Sequence, residues 1–73
     1  MIEVNKTYYH KILNHLVKIK RYTEGSNIAT FYYLNNDLTI MFSKFYFSTS
    51  ERIGIGNIKN LVPYENINQL ELF

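Results

Sequence analysis

Short β-rich segments punctuated by polar turns constrain this chain more than any other feature. Residues 16–22 alternate, with Val17 and Ile19 on one side and Lys18 and Lys20 on the other. That period of two is the signature of a half-buried strand. Further β-rich stretches cover residues 6–12, 28–34, 38–42 and 44–48, with a shorter one at 52–55. Between them lie Leu13-Asn14-His15, Thr23-Glu24-Gly25-Ser26-Asn27 and Asn35-Asn36-Asp37, rich in residues that tolerate turn geometry. Strands joined by tight polar turns pair as antiparallel hairpins. A meander this short hides its apolar face best by curling. The expected fold is therefore all-β: a small five- or six-stranded antiparallel barrel, loosely SH3-like, with residues 16–22, 28–34 and 38–42 as its central meander. In the later strands, Leu38, Ile40 and Phe42 share one face, and Phe45 and Phe47 are expected to point inward.

Size sharpens this expectation. At 73 residues the chain is one small domain near the lower limit for a self-sufficient core. It has no cysteine, so neither disulfides nor thiolate metal sites can contribute. Seven Tyr and five Phe supply the apolar mass instead. Ser48 followed by Glu51 fits the start of a helix, yet Arg52-Ile53-Gly54-Ile55-Gly56 is poor helix material, so residues 48–51 are expected as a loop or helix start and 52–55 as a strand. Residues 58–62 fit one helical turn ended by Pro63. The expected organisation is a domain over residues 1–63 and a tail over 64–73.

Catalytic signals are sparse. His10 and His15 flank a turn and would need the hairpin to align them, plus Glu3 or Glu24, to hold zinc. Gly54-Ile55-Gly56 lacks the third glycine and the long helix of a dinucleotide-binding loop; a bulge or bend at a barrel corner is the expected role. Ser43, Ser48 and Ser50 have no nucleophile-elbow context, and the six acids form no evident pair. The expectation is a non-enzyme without metal or other cofactor. No secretion signal or membrane-spanning run is visible, so a cytoplasmic setting is expected. Nine Asn, nine Ile, six Lys and seven Tyr, all with A/T-rich codons, suggest a low-GC bacterium or a virus infecting one.

Two features point to partners. The net charge is only +2, but Lys6, Lys11, Lys18, Lys20 and Arg21 lie between Glu3 and Glu24 with no acid among them. Lys11, Lys18, Lys20 and Arg21 interleave with Tyr8, Tyr9 and Tyr22, the mixture of cations and stacking rings that small barrels use on single-stranded nucleic acid. The same lysines also suit the solvated outer face of two strands.

The second feature is Gln69-Leu70-Glu71-Leu72-Phe73. This pentapeptide resembles the motif, usually Gln-Leu-(Ser or Asp)-Leu-Phe, by which bacterial replication and repair proteins bind the ring-shaped sliding clamp of DNA polymerase. Glu71 stands where Ser or Asp is usual. The resemblance covers these five residues and no other part of the chain. It implies that Gln69 holds the polar edge of a hydrophobic groove on the clamp, Leu70 a neighbouring patch, and Leu72 with Phe73 the deep pocket. Three apolar anchors, each worth roughly 1.5–3 kcal/mol when buried, less the cost of ordering, suggest about micromolar affinity for the segment alone. The resemblance thus implies an interaction protein, of phage or mobile-element type, that modulates or inhibits host replication. Two other placements fit the same residues: Leu70 and Leu72 alternating with Glu71 as a last strand, or Ile67 and Leu70 on one face of a short helix packed on the domain. A protein inhibitor of a host defence enzyme also fits this composition.

Overall fold

The computed structural model describes residues 2–65. Within them the chain is mostly β, with seven strands: β1 (Thr7–His10), β2 (His15–Arg21), β3 (Ile28–Tyr33), β4 (Phe42–Phe45), β5 (Ser48–Glu51), β6 (Ile53–Asn57) and β7 (Leu61–Pro63). Five of them form one antiparallel sheet in the order β6-β3-β2-β1-β7, and β4 and β5 form a separate two-stranded sheet. A single 3-10 turn, Ile58–Asn60, joins β6 to β7, the two edge strands of the larger sheet. Asn57 starts this turn by accepting the Lys59 N–H on its side-chain oxygen at 2.9 Å.

The alternation in β2 has the expected result. Val17 and Ile19 are fully buried, and Tyr8, Ala29, Phe31 and Leu61 complete the core cluster. Ile2, Tyr22, Tyr33 and Ile58 pack against its margins. The register places Tyr8 opposite Val17, Ile19 opposite Phe31, and Leu61 opposite His10, so one face of the sheet is the core. The turn between β1 and β2 closes through Asn14, whose N–H donates to the His10 carbonyl at 2.8 Å with φ of 56°, a conformation Asn tolerates. Gly25, with φ of 91°, serves the β2–β3 turn in the same way.

Several expectations need correction. The stretch over residues 38–42 forms no strand of its own: Ile40 makes an isolated bridge to Leu34, and Leu38 adopts φ of 72° in a turn. Asp37 orders that turn, accepting the Thr39 N–H at 3.1 Å and the Thr39 hydroxyl at 2.6 Å. These two bonds to the charged form hold its carboxyl below the usual range, the hydroxyl contributing most. Residues 48–51 are a strand, not a loop or helix start, because they pair with β4 from Phe42 opposite Glu51 to Phe45 opposite Ser48. Phe45 and Phe47 are exposed rather than inward, and Leu38 and Phe42 are exposed as well. Their alternation is real, but the strand that carries β4 leaves the core sheet. Gly54 and Gly56 mark no bulge, since β3 and β6 pair in unbroken register from Ile28 opposite Asn57 to Tyr32 opposite Ile53. Their function is clearance, because a Cβ on Gly54 would lie 2.9 Å from Phe31 and 2.7 Å from the Tyr33 hydroxyl.

Candidate functional site

The outward face of the five-stranded sheet is where three of the four sequence-predicted cations, Lys18, Lys20 and Arg21, converge. Tyr9 lies opposite Leu16 and Val62, while Lys18 lies opposite Thr7 and Tyr32, with Ile53 beyond Tyr32. Directly opposed residues share a face, so Lys18 sits among Tyr9 and Tyr32 on the side away from the core. Lys18 and Lys20 are half-buried, as stems lying along apolar neighbours with ammonium groups in water would be.

Strict alternation would turn Arg21 inward after Val17 and Ile19. The register instead slips between Ile19 and Arg21: Ile19 faces Phe31 and Arg21 faces Thr30. One extra residue on β2 is a bulge. It keeps Arg21 on the outward face with Lys20 and returns Tyr22 to the core margin. The bulge thereby groups Lys18, Lys20 and Arg21 on one side of the central strand of the sheet. The five strands of this sheet contain no Asp or Glu, and all three of their Lys and Arg residues belong to β2. A face with clustered cations and no acid favours an anionic partner.

The remaining sequence candidates separate. Lys11 is exposed in the β1–β2 turn. Tyr8 is a core residue, and its hydroxyl accepts the Glu3 N–H at 3.0 Å, so its ring face offers nothing to stack on. Tyr22 is half-buried and donates to the Ser26 carbonyl at 3.2 Å. Tyr32, across from Lys18, belongs to the face and was missed. The pattern Thr30-Phe31-Tyr32-Tyr33 shows alternation but not which tyrosine faces outward until Phe31 is known to be buried. Gln69, Leu70, Glu71, Leu72 and Phe73 lie outside the described residues.

The two histidines do meet. His10 and His15 are direct cross-strand partners on the core face. Each joins an aromatic contact, His10 edge-on to Phe31 with centroids 5.7 Å apart and His15 to Tyr33 at 5.3 Å. Nδ1 of His10 accepts the Leu13 N–H at 3.1 Å, which leaves the ring neutral and the turn anchored. Burial lowers the His10 pKa, against a smaller opposing effect of a backbone hydrogen bond. Among the described residues no group of three or more His, Asp or Glu is placed to share a metal ion. No described helix is long and apolar enough to cross a membrane.

A cleft of about 610 Å³ opens where β6 passes into β7, lined by Ile2, Tyr8, Tyr22, Ile58, Lys59 and Pro63 among others. Its described lining contains no carboxylate, imidazole or thiol. No family model, curated protein or solved structure matches the chain.

Proposed function

We propose that this chain is a non-enzymatic interaction protein that docks Gln69-Leu70-Glu71-Leu72-Phe73 into the hydrophobic groove of a bacterial sliding clamp and so modulates or inhibits host replication. The pentapeptide itself carries the reading. It sets three apolar anchors behind an amide that both donates and accepts. It also follows Pro63, the last residue of β7, by several positions, which leaves a spacer between sheet and motif. The sheet that presents it is, in this proposal, an SH3-like barrel. That finer description is supported by the strand order and by the three-residue link between the two edge strands.

The test is retention of purified sliding clamp from a low-GC bacterium on the full chain tagged at its N-terminus. Gln69→Ala combined with Phe73→Ala is expected to abolish retention. Undiminished binding by that variant sinks the reading.

The cluster of Lys18, Lys20 and Arg21 beside Tyr9 and Tyr32 supports a second reading, in which the outward sheet face binds single-stranded nucleic acid. Its signature is salt-dependent retention of single-stranded DNA that is indifferent to residues 69–73. Loss on Lys18→Glu with Lys20→Glu supports it, and salt-independent retention would discard it.

A further inference from the structure

The β4–β5 hairpin is an excursion from the core sheet. β3 and β6 pair with each other, and residues 34–52 leave and return between them. The base of the excursion is pinned at three points. The Met41 N–H donates to the Tyr33 carbonyl at 2.8 Å, the Arg52 N–H to the Met41 carbonyl at 2.8 Å, and the Tyr33 N–H to the Arg52 carbonyl at 2.9 Å. Beyond this base every residue of β4 and β5 is exposed.

The arm carries large aromatic rings into solvent. Phe42 is 59% exposed, Phe45 70%, Tyr46 88% and Phe47 104%. Such rings bury on the order of 150–250 Å² each, so at these exposures the four present roughly 500–800 Å² per copy. A standard protein interface needs about 800 Å² per partner.

The turn at the tip gives an independent sign. Phe45 pairs with Ser48, so Tyr46 and Phe47 form a two-residue turn. Tyr46 holds φ of 56°, a left-handed conformation suited to Gly, Asn or Asp and rare for a bulky side chain. An aromatic residue thus occupies a position whose backbone favours small residues, with a second aromatic beside it, and such conflicts between local preference and structure mark function.

We propose that this hairpin is a self-association arm, and that its occupant is the hairpin of a second copy of this chain. The exposed area approaches what one side of a dimer buries. The arm's charges, Lys44 and Glu51, cancel, so nothing on it attracts an anionic membrane or nucleic acid. Among the described residues neither outer edge of the hairpin is paired, and the β5 edge, Ser48-Thr49-Ser50-Glu51, has no proline or lysine to block another strand. An antiparallel edge is self-complementary about a two-fold axis, the symmetry of most homodimers. Among the described residues the core cluster holds six buried side chains, and small domains commonly gain stability by association.

Sedimentation velocity across a micromolar concentration series tests the arm in the full chain. The expected result is a concentration-dependent monomer–dimer equilibrium. Phe45→Ser with Phe47→Ser is expected to weaken it by about thirtyfold or more, the effect of losing a hot-spot ring. Both rings are exposed, and near-UV circular dichroism of the buried tyrosine verifies that the variant folds. Gln69→Ala with Phe73→Ala is expected to leave the dimer unchanged, which separates the arm from clamp docking. A wild-type chain that stays monomeric throughout overturns the proposal, whether or not it binds lipid vesicles or another protein. A dimer that survives Phe45→Ser with Phe47→Ser overturns it equally.

Discussion

His10 and Gly56 meet across the core so closely that a Cβ on Gly56 would stand 2.9 Å from Nε2 of the imidazole and 3.4 Å from the Phe31 ring. His10 is buried and tethered through Nδ1 to the Leu13 N–H, so it has little room to yield. Gly56→Ala is therefore expected to destabilise the domain by about 1–3 kcal/mol, the usual cost of overpacking. Chemical denaturation measures this as a lower midpoint at unchanged slope. Gly54→Ala is expected to cost a similar amount, because Phe31 is fully buried and cannot retreat.

The same histidine makes stability depend on pH. Its folded-state pKa lies below the ordinary imidazole value, chiefly because of burial. The unfolded chain therefore takes up a proton on His10 before the folded chain does. The contribution is complete above the unfolded pKa of about 6.5 and is lost as pH falls toward the folded value. Thermal midpoints should decline from pH 7.5 to pH 5, each about one unit or more from that pKa. His10→Gln is expected to lower the midpoint at neutral pH and flatten the decline. An equally steep profile in the variant would assign the effect to other groups.

How far these features are legible in the sequence depends on which interaction decides them. Val17 and Ile19 alternate with lysines, and burial followed that pattern because hydrophobic transfer alone settles it. The turns at Asn14 and Gly25 were legible because their residue types tolerate positive φ. Phe45 and Phe47 alternate just as well, yet they are exposed. Alternation states that two residues share a face but not what that face meets, and here the strand left the sheet. The bulge at Lys20 was invisible for a related reason: it is a register shift against β3, a property of two strands rather than of one. Gly54 and Gly56 read as a bend because the aromatic side chains they accommodate come from β1 and β3, distant in sequence.

The bulge makes the outward face a test of charge. If nucleic acid binds there, Lys18, Lys20 and Arg21 should act together. Neutralising three phosphates on a single strand gives a slope of log affinity against log salt near −2. Replacing Arg21 with Glu should reduce the slope about as much as replacing Lys20, whereas an Arg21 turned to the core would not contribute. Tyr8→Phe is expected to leave retention unchanged. The lost bond to the Glu3 N–H should itself cost about 0.5–1.5 kcal/mol of stability. Retention of fluorescently labelled single-stranded DNA over a salt series measures the slope.

The tip of the arm offers the last test, because strain there is local. Tyr46 sits at φ of 56° in a hairpin that buries none of its own residues. Left-handed backbone costs an ordinary residue about 1–2 kcal/mol, and Asn bears it better through its short polar side chain. Tyr46→Asn should therefore stabilise the hairpin by about 1 kcal/mol, while the core, which the tip does not enter, melts almost where it did. Local opening rather than global unfolding is the appropriate measure. Amide hydrogen exchange at Phe45 and Ser48, recorded on dilute protein, is expected to slow about fivefold, the equivalent of that energy. Amides of Val17 and Ile19 should be unaffected. Faster exchange at the tip would mean that the Tyr46 ring holds the turn together, through its 4.9 Å edge contact with Phe45, more strongly than its backbone strains it.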